Sequence, residues 1–411
     1  MKLLDNKEDE ENEIIINLVD YSKEGEGKYA EAFVDFRLRK DYRLFLSDLN
    51  IKNEREATVI HFLHFVSSKR LRRGAYYKLN TKLLTNVKQF TNNEGYQEES
   101  PLVGYVYDFD YKENDDDELL LEAHAPLDPE DILFSSGGSE MTLVLPHSKY
   151  TLRVNNVGQG NCNEIIDDSG RVKIIYDMGA SLHASTQKVT SLLNTRLTEY
   201  KKSNPILFIS HWDLDHIVQL AVMNDNDIKG FAGVICCSKM TSMTSQRVYK
   251  KLVSQLTKSK VMSLDPPTHI SRGHSKMRAI KRGGNFVLYQ GEMNSNINYC
   301  GLVLMLFGDN GSALLTGDCS LTQASSILLN ERSNICHRSL NMVEPHHGGD
   351  FSARLRVFTI PSQYTAKDAL ISVDENDNSY GHPNKRVLGM LQSTFQTVKR
   401  TDKSGDLYVQ F

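Results

Sequence analysis

The pattern of apolar and polar positions divides the chain into two regions of different texture. From position 141 onward, short apolar runs recur between Gly, Pro and Asp turns and alternate with stretches of helical periodicity. This alternation predicts an α/β domain over 141–411. Residues 1–140 predict a separate N-terminal domain of mixed α and β structure, with an acidic tail at 1–13 and an acidic, exposed linker at about 108–140.

The N-terminal region carries strand-forming patterns and little recognisable chemistry. Positions 14–22 and 28–38 are rich in β-branched and aromatic residues and predict strands, whereas 55–66 fits either a helix or a buried strand. His61 and His64 lie among phenylalanines, which favours packed histidines over metal ligands. The basic stretch 69–88, with interleaved tyrosines, fits a solvated face or a grip on nucleic acid.

The C-terminal region predicts a regular series of strands and helices. Helices are expected at about 184–200, 245–259 and 384–393, and a loop at 261–284. Apolar runs predict strands at 141–146, 150–158, 162–167, 171–177, 206–209, 233–238, 285–291, 300–308, 312–318, 339–345 and 367–374.

The largest cluster of potential metal ligands follows the apolar run Ile206–Ile209, and this run predicts a buried strand. His211, Asp213, Asp215 and His216 come within six residues of one another at the carboxyl end of this strand. Two carboxylates and two imidazoles in one loop repel one another or stay unsatisfied unless cations neutralise them, which favours a metal site. The alternative is a polar loop that caps the next helix, with Asp215 as the N-cap.

Three later segments also place a potential ligand where a strand ends. The strand at 312–318 ends in Asp318, the strand at 339–345 leads to His346 and His347, and His382 follows the last predicted strand. Ligands bind at the carboxyl ends of strands in layered α/β structures, so we expect these side chains to converge on one metal centre.

Composition sets limits on location and partners. The net charge is −4, so attraction to a polyanion must be local rather than global. Six scattered cysteines without a CxxC motif favour a reduced compartment over a disulfide framework. The acidic N-terminus is unlike a signal peptide, and no apolar run approaches membrane-spanning length, so we expect a cytoplasmic protein that does not act at a membrane.

Six short motifs appear in an order that resembles a known family. They are VGQGN at 157–161, IIYDMG at 174–179, SHWDLDH at 210–216, LLTGD at 314–318, PHHGG at 345–349 and YGHP at 380–383. Together they resemble metallo-β-lactamase-fold hydrolases and, more narrowly, the soluble hydrolase domain of the competence protein ComEC. The resemblance covers roughly residues 148–411 and leaves the N-terminal region unexplained.

The resemblance implies an αββα four-layer sandwich with two divalent metal ions, manganese or zinc, at one edge. The ligands that it implies are His211 and Asp213 for the first ion, Asp215 and His216 for the second, Asp318 as a bridge, and one of His346 and His347. Asp213 stands where most of the family has histidine, and this carboxylate favours oxygen-preferring ions at the first site.

Other positions take roles around these ligands. By resemblance, Asp177 would brace the ligand loop, and Asp215 and His382 would be the catalytic residues, with His382 acting as ligand, phosphate contact or proton donor. Two positions depart from the ComEC pattern, because Asn161 replaces an aspartate near the ligands and Gly349 replaces a serine.

The implied activity is hydrolysis of phosphodiesters by a metal-activated water, as in a nuclease that acts on DNA. Candidate phosphate contacts in the 261–284 loop, which would otherwise be a solvated loop, are Arg272, Lys276, Arg278, Lys281 and Arg282. One alternative is a small-molecule phosphodiesterase for a cyclic nucleotide or a phosphocholine-type ester. Another is a partner-dependent effector or binding subunit of a bacterial defence system, with residues 1–140 engaging the protein partner.

Overall fold

The computed structural model divides the chain into two compact units. One consists of Met1–Leu133 with Thr241–Arg247, and the other of Phe134–Met240 with Val248–Phe411. The residues that the structure describes are 12–24, 29–51, 59–66, 71, 76–90, 101–111, 119–120, 145, 149–240, 242–268, 277–294, 296–331, 338–349, 358–374 and 381–411.

The N-terminal unit is a seven-stranded sheet with one helix. Its elements are β1 (Glu13–Glu24), β2 (Tyr29–Phe36), α1 (Arg39–Asp48), β3 (Val59–Val66), β4 (Tyr76–Asn80), β5 (Leu84–Phe90), β6 (Val103–Tyr111) and β7 (Leu119–Leu120). The strand order is β5-β6-β3-β2-β1-β4-β7, and only the β3–β6 pair is parallel among the described strands. Phe45 of α1 packs in one core with Phe36 and Phe62 of the sheet.

The structure confirms some N-terminal predictions and corrects others. The two predicted strands form β1 and β2, and the ambiguous 55–66 segment contains strand β3. His61 stacks on Phe33 with the ring centroids 4.1 Å apart, as expected for a packed histidine. The predicted linker is wrong at its start, because Asp108 pairs with Leu63 inside β6, continuing the strand from the buried Tyr107. The arginines at the start of the basic stretch lie outside the described residues.

Asp41 of α1 is a buried acid that should make the stability of the protein depend on pH. Burial raises the pKa of Asp41 from 3.8 to about 6, although Lys40 and Arg37 partly oppose the shift. Its Oδ2 has no hydrogen-bond partner among the described residues. Because the folded-state pKa exceeds the unfolded value, the native protein loses stability as the pH rises from about 4 to 6. We expect Asp41→Asn to stabilise the protein at pH 8 by about 1–2 kcal/mol.

Urea unfolding of wild type and Asp41→Asn at pH values from 4 to 8, followed by circular dichroism, measures this effect. The stability curve of the variant should be flatter between pH 4 and 6 than that of wild type. Asp168→Asn, at an exposed turn, is the control and should reproduce the wild-type curve. Parallel curves for wild type and Asp41→Asn would show that the carboxyl group of Asp41 does not titrate abnormally.

The C-terminal unit contains two seven-stranded sheets and helices. Its strands are β8 (Thr151–Val154), β9 (Asn163–Ile166), β10 (Val172–Tyr176), β11 (Ile206–Ile209), β12 (Gly233–Cys237), β13 (Val261–Leu264), β14 (Met277–Arg282), β15 (Phe286–Gly291), β16 (Leu302–Phe307), β17 (Gly311–Leu315), β18 (Arg338–Val343), β19 (Tyr364–Ile371), β20 (Thr397–Arg400) and β21 (Leu407–Gln410). Its helices are α2 (Thr186–Ser203), α3 (Val218–Val222), α4 (Asp225–Ile228), α5 (Met243–Leu256), whose first residues belong to the N-terminal unit, α6 (Leu321–Asn330), α7 (Lys385–Thr394) and α8 (Thr401–Ser404).

Each sheet combines a parallel and an antiparallel half. The first sheet has the order β13-β12-β11-β10-β9-β8-β21, and β10 to β13 run parallel. The second has the order β14-β15-β16-β17-β18-β19-β20, and β17 to β20 run parallel. Strands buried on both faces tolerate uninterrupted apolar sequence, which explains runs such as those of β11 and β16. The carboxyl ends of the parallel strands meet at one edge of the unit.

The two sheets pack face to face and helices cover their outer faces. Ile174 and Phe208 of the first sheet share a core with Leu304 and Leu315 of the second. On the outer face of the second sheet, the side chains of α6 and α7 pack against β16 to β18, and α2 lies against β10. The predicted αββα sandwich is confirmed. No helix in the described part of the chain combines the length and the apolar character needed to cross a bilayer.

The 261–284 segment differs from its prediction as a loop. It begins with β13 and ends with β14, because Val261 and Met277 are buried and the backbone pairs with β12 and β15. Helix α6 was not predicted, since its apolar positions follow the LLTGD motif without a clear break. The predicted strand at 141–146 lies outside the described residues except for position 145.

Candidate metal centre

The candidate ligands come from both sheets and meet at the shared edge. His211 follows β11 of the first sheet, whereas Asp318 follows β17 and His347 follows β18 of the second. The backbone N–H of Leu302, at the start of β16, donates to the carbonyl of Ser210 at 2.8 Å and ties the two sheets together beside the ligands. The parallel halves of the two sheets therefore bring distant parts of the sequence to one site.

The 211–216 loop does not serve as a helix cap. A short 3₁₀ turn covers Leu214–His216, and neither this turn nor α3 receives a side-chain capping bond from the loop. The backbone N–H of Asn161 donates to the carbonyl of Asp215 at 3.1 Å, and that of Met178 donates to the carbonyl of His216 at 3.0 Å. Backbone hydrogen bonds therefore hold the loop in place, and its carboxylates and imidazoles are not needed for capping.

Three imidazoles are each held through Nδ1. His216 Nδ1 lies 2.8 Å from Asp177 Oδ2, and His347 Nδ1 lies 2.8 Å from the carbonyl oxygen of Ser372. Because a carbonyl and a carboxylate only accept, both histidines donate from Nδ1 and, when the imidazole is neutral, keep a lone pair on Nε2. His211 Nδ1 lies 3.0 Å from the hydroxyl of Ser210. Each Nε2 is therefore the atom offered to the centre of the site.

Four buried donor atoms converge without hydrogen-bond partners among the described residues. They are Nε2 of His211, His216 and His347 and Oδ1 of Asp318. His216 Nε2 lies 3.1 Å from Asp318 Oδ1, close but not aligned for a hydrogen bond. Two overlapping groups, His211 with His216 and Asp318, and Asp215 with His216 and His347, each bring their donor atoms within 4.8 Å.

This donor set fits divalent metal ions. Buried polar atoms normally form hydrogen bonds, so four such atoms without one in a single place indicate a site suited to a cation. Imidazole nitrogens and carboxylate oxygens in this mixture suit zinc and manganese. Asp318 Oδ1 faces His216, whereas its Oδ2 faces His346 Nδ1 and lies 3.8 Å from His211 Nε2. The two oxygens of this carboxylate therefore face different histidines.

Asp177 braces the ligand loop. Its Oδ2 accepts from Asn161 Nδ2 at 2.8 Å and from the Ser210 hydroxyl at 2.8 Å, in addition to His216, and its Oδ1 accepts from the Ser210 N–H at 2.7 Å. Asp177 adopts a φ of 62°, an uncommon conformation for a residue other than glycine. Asn161 in turn accepts from Asn163 Nδ2 at 2.6 Å, so the residue that departs from the ComEC pattern is part of this network.

The histidine pair adopts a strained backbone that points its side chains in different directions. His346 and His347 have φ values of 49° and 55°, both in the left-handed region. His347 Nε2 lies 3.3 Å from Asp215 Oδ2, whereas His346 Nδ1 contacts Asp318 Oδ2. The geometry therefore places His347, rather than His346, in the group with Asp215.

His382 lies beside His346, outside the ligand groups. Their ring centroids are 5.1 Å apart and the rings meet edge to face. A Cβ atom on Gly349 would stand 2.3 Å from His346 Cδ2 and 2.9 Å from His382 Nε2. Gly349, which stands where the ComEC pattern has serine, therefore makes room for both rings.

The carboxylates and imidazoles of the site shift one another's pKa values. Burial alone would lower the pKa of His216, but Asp318 and Asp177 raise it well above its usual value. Burial opposes ionisation of Asp318, but His346 and His216 hold the pKa of its carboxyl well below the usual range. The pKa of His347 is raised because Asp215 outweighs burial. Metal ions would displace these protons, so metal affinity should increase with pH.

The described candidate phosphate contacts lie at opposite ends of β14. Arg278 is the second residue of β14, at the ligand edge, and its Nη2 lies 2.9 Å from Glu292 Oε1. Arg282 ends β14, four residues or roughly 13 Å away along the strand, and forms a bidentate pair with the buried Glu331. Lys281 neighbours Arg282 at that far end. Arg272 and Lys276 lie outside the described residues.

Sequence reasoning missed two partners of the ligands. They are Ser210, whose hydroxyl contacts Asp177 and His211, and Ser372, whose carbonyl orients His347. The motif SHWDLDH contains Ser210, so its position was a usable signal. A backbone carbonyl such as that of Ser372 leaves no signature in sequence.

Comparison with known proteins gives distant structural matches only. No family model and no curated protein matches the sequence. The structure is similar to Tm1679, described as a metal-dependent hydrolase of the beta-lactamase superfamily, with 12% identity, a TM-score of 0.35 and coverage of 64% of this chain and 100% of that one. It is also similar to human tRNase Z, short form, with 9% identity, a TM-score of 0.34 and coverage of 62% and 98%.

A third match is CmlA, described as a diiron β-hydroxylase from Streptomyces venezuelae, with 10% identity, a TM-score of 0.33 and coverage of 65% of this chain and 55% of that one. These neighbours include proteins described both as hydrolases and as a hydroxylase. Similarity at this level carries no conclusion about reaction or substrate, and the ComEC-type branch is not among the named matches.

Proposed function

We propose that this chain is a metal-dependent hydrolase that cleaves phosphodiesters, with DNA as its first candidate substrate. The observation that carries the proposal is the convergence of four buried donor atoms, on His211, His216, His347 and Asp318, that have no hydrogen-bond partner among the described residues. A structural role alone does not require so many open donors at a strand edge.

The residues of the centre would have three roles: metal binding, orientation of the ligands, and contact with the substrate. Two divalent ions, when bound, supply the Lewis acidity that generates a nucleophilic water near neutral pH. His211, Asp213, Asp215, His216, Asp318 and His347 would hold these ions. Asp177 fixes the tautomer of His216, and the Ser372 carbonyl fixes that of His347. His382, beside His346, would contact the scissile group or give a proton to the leaving oxygen.

Cationic side chains at the same edge support an anionic substrate. Lys239 follows β12, the strand next to β11, and its Nζ donates to the carbonyl of Asn294. Arg278 lies at the start of β14, which pairs with the end of β15. Both positions share the edge that carries the ligands, and Arg278 remains partly exposed despite its pairing with Glu292. A phosphodiester bound at this edge would be attracted by these two cations.

A small phosphodiester, such as a cyclic nucleotide or a phosphocholine-type ester, is the second candidate. The pairing of Arg278 with Glu292 favours it, because the carboxylate reduces the positive charge available to a long polyanion. The two candidates share the metal centre and differ in the size of the substrate beyond the scissile group.

The test is hydrolysis of bis(p-nitrophenyl) phosphate beside labelled single- and double-stranded DNA, in Mn²⁺, Zn²⁺, Mg²⁺ or EDTA. Metal-dependent cleavage of DNA that is lost in Asp215→Ala is the expected result. Cleavage of the small diester without DNA cleavage would move the function to the second candidate. Absence of both activities would overturn the proposal and favour a binding subunit that depends on a partner.

A further inference from the structure

The first turn of helix α5 lies within the N-terminal unit. Residues Thr241–Arg247 belong to that unit, and the same helix continues from Val248 in the C-terminal unit. Thr244 and Ser245 are fully buried, and Ser242 is 4% exposed. A helix start leaves backbone N–H groups without partners inside the helix, so a buried start must satisfy them with other groups.

Two sets of acceptors satisfy this first turn. Ser242 and Ser245 cap it reciprocally, because the N–H of each donates to the hydroxyl of the other, at 3.2 and 3.3 Å. The N–H of Thr244 donates to Oδ2 of Asp35, near the end of β2, at 3.2 Å. Asp35 is fully buried, and its Oδ1 accepts from the N–H of Phe36 at 2.7 Å. The helix start and the buried carboxylate therefore stabilise each other, since the N-terminus of a helix favours negative charge.

Apolar and charged interactions act on the same segment. Met243 packs against the core that surrounds Phe45 of α1. Burial raises the pKa of Tyr42 in α1 to about 12, and the charge of Arg247 opposes this shift whereas that of Asp35 adds to it. Both ends of the segment 243–247 therefore interact with the rest of the N-terminal unit.

A short connection joins this turn to the ligand edge. Strand β12 ends at Cys237, and Lys239 lies between that residue and the helix. Ser242 is three residues beyond Lys239, which is at most roughly 11 Å of extended chain. A displacement of the first turn would therefore displace Lys239 as well.

A series of contacts connects Lys239 with the ligands. Its Nζ donates to the carbonyl of Asn294, and the N–H of Asn294 donates to Cys300 Sγ at 3.0 Å. A Cβ atom on the next residue, Gly301, would stand 3.8 Å from His211 Cβ. Lys239 therefore belongs to the surroundings of the candidate metal centre.

We propose that Asp35 is a positioning residue for a nucleic-acid substrate: it holds the first turn of α5 and thereby fixes Lys239, which contacts a backbone phosphate of the bound strand. The inference rests on the proposed function and deepens it, because it names a residue that binds the DNA. Asp35 acts through the helix rather than on the substrate itself. A lysine ammonium suits this task, since a phosphate contact adds affinity without reading sequence.

Hydrogen–deuterium exchange of the full chain, followed by mass spectrometry, tests the hold on the helix. In Asp35→Ala, the amides of 243–247 should exchange at least about 5-fold faster than in wild type, the scale of a lost helix cap. Asp35→Asn keeps one acceptor oxygen, so its exchange should lie between the two, and it supplies the result if Asp35→Ala does not fold. Unchanged exchange in both variants would overturn the inference.

The matched control is Glu13→Gln. Glu13 is another carboxylate of the N-terminal unit, and its Oε2 lies 2.8 Å from Lys78 Nζ, between β1 and β4. This variant should exchange as wild type does at 243–247. An equal increase in Glu13→Gln would show that any lost charge loosens the unit, and the assignment of Asp35 would then be wrong.

Fluorescence anisotropy of labelled single-stranded DNA in EDTA tests the placement of Lys239, because it measures binding without turnover. Asp35→Ala and Lys239→Gln should each weaken binding by at least about 5-fold at low salt. Each should also reduce the slope of log Kd against log salt concentration by about 0.7, the value for one phosphate contact. The double variant should bind no more weakly than Lys239→Gln, because both residues act on one contact. Lys202→Gln, at an exposed position of α2, should bind as wild type does.

Three results would contradict the placement of Lys239: additive losses in the double variant, an unchanged salt slope, or no DNA binding by wild type. Failure of the proposed function is read separately, in the hydrolysis assay. A protein that binds DNA as expected but cleaves no diester would lose the proposed function and keep the assignment of Asp35 and Lys239 to DNA binding.

Discussion

Asp215→Ala should lower metal-dependent diester hydrolysis by at least about 1,000-fold, because residues that merely support ligands already contribute 10- to 100-fold. Asp215 Oδ2 lies 3.3 Å from His347 Nε2, and Asp215 Oδ1 lies 4.0 Å from His216 Nε2. Without this carboxylate, the two imidazoles have no anionic partner on that side for a shared ion. Initial rates at saturating Mn²⁺, measured beside the circular dichroism spectrum, give the result.

The matched control is Asp309→Ala. Asp309 is exposed in the turn between β16 and β17, at the end of the second sheet opposite the ligands. This variant should hydrolyse the diester at the wild-type rate. A folded Asp215→Ala protein with undiminished turnover would mean that the chemistry takes place elsewhere in the molecule.

Gly179→Ala is the second substitution with a large expected effect. A Cβ atom at this position would stand 1.6 Å from the carbonyl oxygen of Asp215 and 2.8 Å from that of Asn161. The methyl group must displace the backbone of the ligand loop, because no flexible side chain can move aside instead. We expect a loss of about 1–3 kcal/mol in stability, as in overpacked cores, and a loss of at least about 10-fold in metal affinity.

Thermal unfolding and metal dialysis of Gly179→Ala measure the two effects separately. Gly389→Ala is the control, since its position on the exposed side of α7 has no atom within 4 Å of the added Cβ. Alanine favours a helix by up to about 1 kcal/mol over glycine, so this variant should be neutral or more stable. If both variants behave alike, the close approach of Gly179 to the ligand loop is not a feature of the protein in solution.

The sequence predicted the ligand-bearing segments because their information is local. An apolar run followed by clustered imidazoles and carboxylates identifies both a strand and the chemistry at its end, as at Ile206–Ile209. Which of His346 and His347 lies beside Asp215 was not predictable, because two successive left-handed residues turn His346 towards Asp318 and His347 towards Asp215. The support from Ser372 was equally invisible, since it comes from a main-chain carbonyl.

Long-range pairing explains the remaining differences. Arg282 was predicted from its charge alone to contact phosphate, whereas the structure pairs it with the buried Glu331, which is 49 residues away. The strand character of Val261–Leu264 arises from its alignment beside β12, which no local pattern encodes. In the N-terminal unit, individual strands were predictable, but the parallel β3–β6 pair and the order of the sheet were not.

The origin of the ligands in both sheets has a mechanical consequence. His211 and His216 follow a strand of one sheet, and Asp318 and His347 follow strands of the other, so an ion held between these residues would link the two sheets. Such an ion would stabilise the native state by RT ln(1 + [M]/Kd), which is about 2.7 kcal/mol when the free metal concentration is 100 times the dissociation constant. The melting temperature of the C-terminal unit should therefore rise with metal loading and fall on chelation, and so serve as a gauge of occupancy that needs no substrate.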